Sequence, residues 1–484
     1  MSAPTPKRRS YQNVGLWLGP LLCGVILALP APAGLSADAW TVVAIAALLA
    51  SWWATEALPV PATSLVPLIA FPITGVLDAD EAAAPYARPV IFLLLGGFIM
   101  AMALQRWGLH RRIALTVVAG FGAHPRSLIL GFMAATALIS MWISNTATTL
   151  MMIPIALSVV DSLSADATNR GRFARCLLLG IAWSASIGGL GTIIGTPPNA
   201  FVVGFVRQQT GQEIGFLAWM SFGVPVAAAL VPLAWIVLTR GSDRFAPDAV
   251  KGGRAVVADQ LAALGGLTRP ERRVALIFFV VANAWLWRLA LKEVPGLGAL
   301  SDMIIAIAGA LAMFLVPAGD SKDRHARLLD WPTAERLPWG VILLFGGGLS
   351  LARAVQVTGL SEWLGAALAP LAGLDLFVIL LGITLLIIFL TELTSNTATI
   401  AALVPILAAL ADTSGVDPMI LAAPAAMAGS AAFMLPVATA PNAIVYATGR
   451  VSIPQMARAG LLLNLAGSVA IATICWAVVP RVFG

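Results

Sequence analysis

The chain contains 484 residues, of which 59% are hydrophobic and 11% charged, and its mean hydropathy is +0.91. Soluble domains carry about 25% charged residues, so this composition excludes a soluble fold, and it excludes a disordered chain as well. The net charge of +6 does not indicate a nucleic-acid partner, because the basic residues fall in loops between apolar segments, where they orient membrane proteins. The apolar runs are continuous, so we predict an all-α polytopic protein of the lipid bilayer.

Apolar segments in chain order predict eleven membrane-spanning helices. The first follows a basic cluster and precedes Ala31-Pro32-Ala33, a pattern also typical of a cleavable signal peptide. We interpret it as a retained span, because its apolar stretch is longer than a usual signal core. The predicted spans are 15–33, 38–57, 62–77, 89–108, 176–206, 214–239, 274–291, 299–317, 338–356, 418–447 and 459–480.

Two further apolar segments, 127–160 and 373–411, are each interrupted near the middle by a polar cluster. We interpret both as re-entrant hairpins, which membrane depth tolerates only where protein or a water-filled cavity surrounds them. With a cytoplasmic N-terminus, this arrangement places 23 of the 29 basic residues on the cytoplasmic side. It predicts a multi-pass protein of the cytoplasmic (inner) membrane with an external C-terminus.

Three motifs occur twice, in the same order and at nearly equal spacing, which indicates a duplicated unit. Each copy has an odd number of crossings, so the second copy is inserted upside-down, as in many secondary transporters. The repeated pairs are Gly96-Gly97 with Gly346-Gly347, 144–148 with 395–399, and 195–199 with 438–442. The predicted divisions are an N-terminal tail with the first span (1–37), a first inverted repeat (38–239), a cytoplasmic linker (240–273) and a second inverted repeat (274–484).

The repeated Ser-Asn-Thr-Ala-Thr clusters lie at the two hairpin tips. A helix that begins there directs free N–H groups and its positive dipole end at the tip, which suits a carboxylate or another anion. Carbonyls that end the preceding half-helix, together with hydroxyl groups, suit Na⁺. Either tip alone is an ordinary N-cap, but two copies between apolar half-helices favour a binding site.

Two other features lie at membrane depth. The Gly- and Pro-rich motifs at 188–199 and 435–442 interrupt predicted spans, and their pairing across the repeats favours unwound backbone that lines the site over simple kinks. Glu392 is an ionisable group in an apolar segment. It fits a functional role and a paired role within the hairpin equally well.

These motifs resemble the divalent anion/sodium symporter family, which includes the INDY-type dicarboxylate and citrate carriers. The resemblance covers nearly the whole chain, and several independent motifs match in order. They are WWATEALPVPATSLVPLIAFPITGV, FLLLGGFIMAMALQRWGLHRRIAL, both SNTAT tips, GTPPNA and SAAFMLPVATAPNAIV.

The resemblance implies a homodimer in which each protomer has a scaffold domain and a transport domain. The transport domain would carry both hairpins and both broken helices and would move across the membrane as an elevator. One implied sodium site consists of Ser140, Ser144, Asn145 and Gly195, and the other of Thr391, Thr394, Asn396 and Ala438. The implied substrate contacts are Asn145, Thr146, Thr196, Asn396, Thr397 and Thr439.

The sequence therefore predicts a secondary active transporter, a Na⁺-coupled symporter of C4-dicarboxylates such as succinate, malate or fumarate, and no enzyme. Neutral Asn and Thr tips accept any small dianion, so a sodium-independent exchanger, or a carrier of citrate, tartrate, sulfate or a sulfonate, stays open as an alternative. An intramembrane enzyme requires a nucleophile–base pair or a metal set, which the three cysteines and three histidines do not supply. A channel requires a continuous lined pore instead of closed hairpins.

Overall fold

The computed structural model describes residues 10–122, 124–163, 167–240, 253–320, 323 and 325–483. Within these ranges the regular structure is helical, apart from an isolated antiparallel bridge between Pro317 and Arg327. Residues 1–9 of the predicted tail and 241–252 of the predicted linker lie outside the described residues. The predicted all-α class is confirmed.

Six helices cover the N-terminal region up to the first glycine pair. The predicted span 15–33 ends early, at Ala28, because the residue before Pro30 is biased away from helical backbone. The predicted span 62–77 is divided in two where Pro67, which has no N–H, starts a new helix. The helices are α1 (Ser10–Ala28), α2 (Ala37–Thr55), α3 (Val60–Thr63), α4 (Pro67–Thr74), α5 (Ala79–Ala83) and α6 (Pro89–Arg106).

The first predicted hairpin forms two consecutive helices, and the predicted span 176–206 is a broken helix. Its unwound segment, residues 190–196, lies within the Gly- and Pro-rich motif 188–199, so the predicted interruption is confirmed. The helices of this part are α7 (Leu109–Ala119), α8 (Pro125–Ser140), α9 (Asn145–Asp161), α10 (Ala167–Gly189), α11 (Pro197–Thr210) and α12 (Phe216–Arg240).

The predicted linker 240–273 is partly helical. It contains one complete helix, and the next helix begins within it at Arg269, where Thr268 and Glu271 form a capping box. The helices from here to the second glycine pair are α13 (Gly253–Ala263), α14 (Arg269–Leu286), α15 (Arg288–Lys292), α16 (Asp302–Leu315), α17 (Trp331–Ala334) and α18 (Trp339–Val357).

The C-terminal part repeats the order of the first half: a short helix, two hairpin helices, a broken helix and a long final helix. The predicted span 418–447 is interrupted at residues 429–439, as its Pro-rich motif predicts. The helices are α19 (Leu360–Ala372), α20 (Leu376–Thr391), α21 (Asn396–Thr413), α22 (Pro418–Ala428), α23 (Ala440–Ala447) and α24 (Ile453–Phe483).

Among the described residues, six helices are long and apolar enough to cross a membrane, and a bent pair, Leu360–Leu371 with Leu376–Thr391, makes a seventh if it forms one span. All but one of the six coincide with predicted spans. The exception is α21, which the sequence places in the second hairpin. The other predicted spans correspond to shorter, more polar or broken helices, so the number of crossings and the re-entrant geometry stay predictions. The six are Ala37–Thr55, Ala79–Arg106, Phe216–Arg240, Trp339–Val357, Asn396–Thr413 and Ile453–Phe483.

Two short helices, α7 and α19, occupy equivalent positions and were not predicted. Each begins after a glycine in the left-handed region, Gly108 with φ of 70° and Gly359 with φ of 75°. A side chain at either position would be strained, so glycine permits the sharp turn that follows α6 and α18. The two turns are a further correspondence between the halves of the chain.

The two hairpins and the two broken helices pack in a reciprocal pattern. The helix before each break lies against both arms of the hairpin in its own half: α10 contacts α8 and α9, and α22 contacts α20 and α21. The helix after each break reaches the other half instead: α11 contacts α21 and α22, and α23 contacts α9 and α10. The four elements therefore form one interlocked unit that holds the hairpin tips and the breaks together.

Arg112 on α7 fixes the junction between the linker and α14. Its guanidinium lies 2.8 Å from Glu271 and donates to the carbonyl oxygens of residues 264–266. Burial raises the pKa of the Glu271 carboxyl, but hydrogen bonds from Arg112 and Thr268 outweigh it and hold that pKa below its ordinary value. Because α13 also contacts both α7 and α9, the linker connects α7 to the first hairpin.

Candidate functional site

Each hairpin tip is a short turn between the end of one helix and the start of the next. Residues 141–144 separate α8 from α9, and residues 392–395 separate α20 from α21. The Ser-Asn-Thr motif starts the second helix of each pair, with Asn145 and Asn396 as first residues. Both helix N-termini thus lie at the tips, as the sequence predicts.

Three oxygen atoms converge at the first tip. The Ser140 hydroxyl lies 2.7 Å from Asn145 Oδ1 and 2.6 Å from the carbonyl oxygen of Ala185 on α10. The hydroxyl carries one proton and can donate to only one of these acceptors at a time. The Ser140 hydroxyl oxygen therefore lies close to a second oxygen with no hydrogen between them. A small cation would stabilise such a pair of oxygens.

Gly189 leaves space next to the same oxygens. A methyl group at this position would lie 2.9 Å from Asn145 Oδ1 and 2.9 Å from the carbonyl oxygen of Gly195. Both oxygens therefore face the same small region, which a side chain would fill. The structure thus brings Ser140, Asn145 and Gly195 together. Ser144 has a different role, because its hydroxyl accepts from the Ala147 N–H at 3.3 Å and caps α9.

The second tip is arranged differently. Thr391 donates its hydroxyl to the Ile387 carbonyl of its own helix at 2.9 Å, and Thr394 lies 2.7 Å from the hydroxyl of Thr399. These two predicted ligands are therefore not hydrogen-bonded to each other. Their oxygen lone pairs stay available to a cation, since a hydroxyl that donates one hydrogen bond can still accept.

The N-terminus of α21 is the less completely capped of the two. Ser395 makes no side-chain hydrogen bond to the first turn of α21, whereas Ser144 caps α9. The Oδ1 atom of Asn396 is buried and has no hydrogen-bond partner. A buried acceptor without a donor costs about 1–3 kcal/mol, so this atom is suited to a bound cation or to a substrate donor.

A direct contact joins the two unwound segments. Thr196, which precedes α11, lies 2.9 Å hydroxyl to hydroxyl from Ser430 in the break of the second half, and both residues are buried. Its counterpart Thr439 instead caps α23 by accepting from the Asn442 N–H at 3.3 Å. Among the described residues, no side-chain hydrogen bond joins Asn145 to Asn396. Thr196 and Ser430 instead provide a hydrogen bond between the two unwound segments.

Glu392 is paired, and its partners lie in the second break. Its carboxylate accepts the backbone N–H groups of residues 433, 434 and 435 at 2.8, 2.8 and 2.9 Å, and the side-chain amide of Asn464 on α24 at 2.7 Å. The side chain is 3% exposed. Of the two interpretations from sequence, the structure supports pairing, although the partners lie in the break and in α24 instead of the hairpin.

The remaining predicted contacts lie at the same two tips and breaks. Thr146 is exposed on the first turn of α9, and Thr397 is buried on the first turn of α21. Ala438 is buried in the second break, directly before Thr439. Sequence reasoning missed the Ala185 carbonyl and Ser430, because neither belongs to a repeated motif.

Comparison with known proteins relates the chain to a family of membrane transporters. The family described as "Sodium:sulfate symporter transmembrane region" matches residues 12–481. The sodium-dependent dicarboxylate transporter SdcS of Staphylococcus saprophyticus is 42% identical over 490 residues, covering 99% of this chain and 94% of that protein. SdcS of Staphylococcus aureus is 40% identical over 480 residues, covering 98% and 92%.

The crystal structure of the Alcanivorax borkumensis YdaH transporter, whose title reports an unusual topology, is similar in fold. It aligns with a TM-score of 0.58 at 15% identity and covers 98% of this chain and 100% of that one. An all-helical polytopic chain with two hairpins and two broken helices packed as one unit has the fold of a multi-pass membrane transporter. The chain belongs to the divalent anion/sodium symporter family.

Glu392→Gln should destabilise the protein. The amide NH₂ would face a backbone N–H that the carboxylate now accepts, and a buried unpaired donor costs about 1–3 kcal/mol. We expect a lower unfolding temperature in detergent and reduced transport in proteoliposomes.

The matched control for this substitution is Glu362→Gln, which alters an exposed carboxylate on α19 that accepts from the Ser361 hydroxyl. It should leave the unfolding temperature unchanged. Equal unfolding temperatures for Glu392→Gln and the unaltered protein would contradict the pairing.

Proposed function

We propose that the chain is a Na⁺-coupled symporter of C4-dicarboxylates such as succinate, malate or fumarate. The observation that carries the proposal is the convergence of the Ser140, Asn145, Ala185 and Gly195 oxygens beside the N-terminus of α9. Hydroxyl, amide and carbonyl oxygens at the end of a half-helix are the ligands that Na⁺ takes in transporters of this architecture. The two SdcS relatives are named as sodium-dependent dicarboxylate transporters.

The second cation site would use Thr391, Asn396 and Ala438. The unpaired Oδ1 atom of Asn396 supports this assignment, because it is buried and has an unmet acceptor. Thr394 and Ser144 would complete the two sites through oxygens that their present hydrogen bonds leave free. Two cation sites in equivalent positions follow from the repetition of the hairpin and the break.

The dianion would lie between the two helix N-termini. Asn145 and Asn396 begin α9 and α21, and the backbone N–H groups of a first helical turn attract carboxylates. Substrate contacts would come from these asparagines, from Thr146 and Thr397 beside them, and from Thr196 and Thr439 at the starts of α11 and α23.

Cation coupling also provides the driving force for uptake. Moving a dianion alone into a cell against an inside-negative potential costs about 2.3 kcal/mol per charge per 100 mV. Two sodium ions that enter with the dianion remove this cost, and a third makes transport electrogenic. We therefore expect at least two Na⁺ per substrate.

The interlocked unit of hairpins and broken helices would be the moving part. Reciprocal packing of α11 on the second hairpin and α23 on the first supports two inverted repeats that move as one transport domain. The proposed mechanism is an elevator motion of this domain against a scaffold in a homodimer. Both hairpins would be re-entrant, and eleven helices would cross the membrane.

Asn145→Ala and Asn396→Ala should each abolish or greatly reduce succinate uptake into proteoliposomes. Each change removes an amide group that would bind the cation or the substrate, and the loss of one such buried partner costs about 1–3 kcal/mol or more. The control is Asn283→Ala, which alters an α14 amide that donates to the Phe279 carbonyl of its own helix. All three variants should keep the unaltered molecular mass in detergent, expected to be that of a homodimer. Near-normal uptake by either tip variant would mean that the tips only cap helices.

Succinate uptake should depend on a sodium gradient. Ser140→Ala and Thr391→Ala should raise the Na⁺ concentration for half-maximal uptake more than they change the rate at saturation, because each removes a cation ligand. Ser158→Ala is the control, since its hydroxyl donates to the Pro154 carbonyl on the same hairpin. An exchanger would give a different result: uptake would persist when choline replaces sodium, and dicarboxylate inside the proteoliposomes would drive it.

A panel of citrate, tartrate, sulfate and sulfonates tests the substrate class.

A cysteine added after Gly484 should react with an impermeant thiol reagent in intact cells, because the basic residues place the C-terminus outside. Arg254→Cys, at an exposed position of α13, provides the opposite control and should react only after lysis. If the C-terminal cysteine is protected until lysis, eleven crossings with a cytoplasmic N-terminus are ruled out.

A further inference from the structure

Asn199, on the first turn of α11, closes the first unwound segment. Its side-chain amide donates to the carbonyl oxygens of Gly189 at 2.9 Å and Thr192 at 2.8 Å, and the residue is 0% exposed. One NH₂ group therefore satisfies two backbone acceptors that the break leaves without helical partners. The side-chain amide takes the place of the helical hydrogen bonds that the break interrupts.

Asn442, on the first turn of α23, makes the same arrangement in the second half. Its side-chain amide donates to the carbonyl oxygens of Ala432 at 3.3 Å and Leu435 at 3.1 Å, and it is also 0% exposed. These acceptors are three positions apart in sequence, as Gly189 and Thr192 are. The same contact thus occurs in both halves, although the acceptor segments 189–192 and 432–435 differ in sequence. This indicates that both unwound segments need the amide donor.

The orientation of both amides is fixed by these carbonyl groups. The Oδ1 atom of Asn199 and that of Asn442 are buried and have no hydrogen-bond partner. Rotating either amide by half a turn would direct Oδ1 at two carbonyl oxygens and lose both hydrogen bonds. The NH₂ group therefore makes the contacts that hold the unwound segment. In exchange, the Oδ1 atom of each side chain stays buried without a hydrogen-bond donor.

The clamped carbonyl groups connect directly to the proposed cation ligands. Thr192 O, which accepts from Asn199, also accepts the Gly195 N–H at 3.3 Å. In the second half, Leu435 O accepts from Asn442 and from the Ala438 N–H at 3.2 Å. Each asparagine thus fixes the turn that presents the backbone carbonyl of Gly195 or Ala438.

We propose that Asn199 and Asn442 are positioning residues for sodium, each holding one unwound segment in the shape that directs the Gly195 or Ala438 carbonyl at a cation. This inference rests on the proposed Na⁺ coupling. Substrate contacts are affected less, because Thr196 has its own hydrogen bond to Ser430 and the tip asparagines lie on other helices.

The test uses Asn199→Leu and Asn442→Leu in the full-length protein, since leucine has about the size and branching of asparagine, removes the donor and adds no charge. Loss of a residue that orients a metal ligand typically weakens metal binding by about 10-fold to 100-fold. We expect the Na⁺ concentration for half-maximal succinate uptake to rise by about that factor, while KM for succinate at saturating Na⁺ changes little. Without substrate, NaCl should raise the unfolding temperature relative to choline chloride. In the variants, the same rise should require a higher Na⁺ concentration.

Asn283→Leu makes the same chemical change outside the site, at an α14 amide that donates to the Phe279 carbonyl of its own helix, and should leave both sodium dependences unaltered. If the leucine variants do not fold, Asn199→Ser and Asn442→Ser take their place, because serine keeps one donor and should give a smaller shift in the same direction. Unaltered sodium dependence in folded variants would overturn the positioning role, as would an equal loss of succinate affinity at saturating Na⁺. If neither the uptake nor the thermal stability of the unaltered protein depends on sodium, the proposed coupling itself is refuted.

Discussion

Buried backbone groups that leave a helix must find other partners, and the centre of this molecule depends on that constraint. Two spans unwind at residues 190–196 and 429–439, where lipid or packed protein offers no water to replace the lost hydrogen bonds. Side chains supply the missing partners. Asn199 and Asn442 donate to carbonyl groups, and Glu392 accepts three N–H groups of the second break. The unwound backbone is thereby held in one shape, which a binding site needs.

The two halves share a backbone plan but differ in chemistry. Three residues before the tip serine, the second hairpin has Glu392 where the first has Met141. The first break needs no carboxylate to satisfy its backbone N–H groups, because those of residues 190 and 191 still donate within helical turns. The Thr192 hydroxyl also joins this break to the first tip, since it donates to the Met141 carbonyl at 2.5 Å. The first tip gathers its oxygens around Ser140, whereas Thr391 bonds within its own helix. The two proposed cation sites are therefore expected to differ in their affinity for Na⁺.

Repetition in the sequence made much of this site predictable. The paired Ser-Asn-Thr motifs located both tips, and the paired Gly- and Pro-rich motifs located both breaks, because each has a local signature that occurs twice. Contacts between distant residues have no such signature: Thr196 meets Ser430 only after the two halves pack together. The short helices α7 and α19 were missed for another reason, since they are too short to form spans. Their glycines, Gly108 and Gly359, were the available signal.

Reciprocal packing of the broken helices has a consequence for biosynthesis. The first hairpin has α23 as a neighbour, and the ribosome makes α23 only near the end of the chain. Until then, Asn145 and the Ser140 oxygens lack part of their protein surroundings, which apolar lipid cannot replace. The N-terminal half is therefore expected to wait in an incomplete form, shielded by insertion factors or held near the membrane surface, until the C-terminal half is translated. A chain truncated before α23 would be left with a polar tip that α10 covers only in part, and quality-control proteases would be expected to remove it.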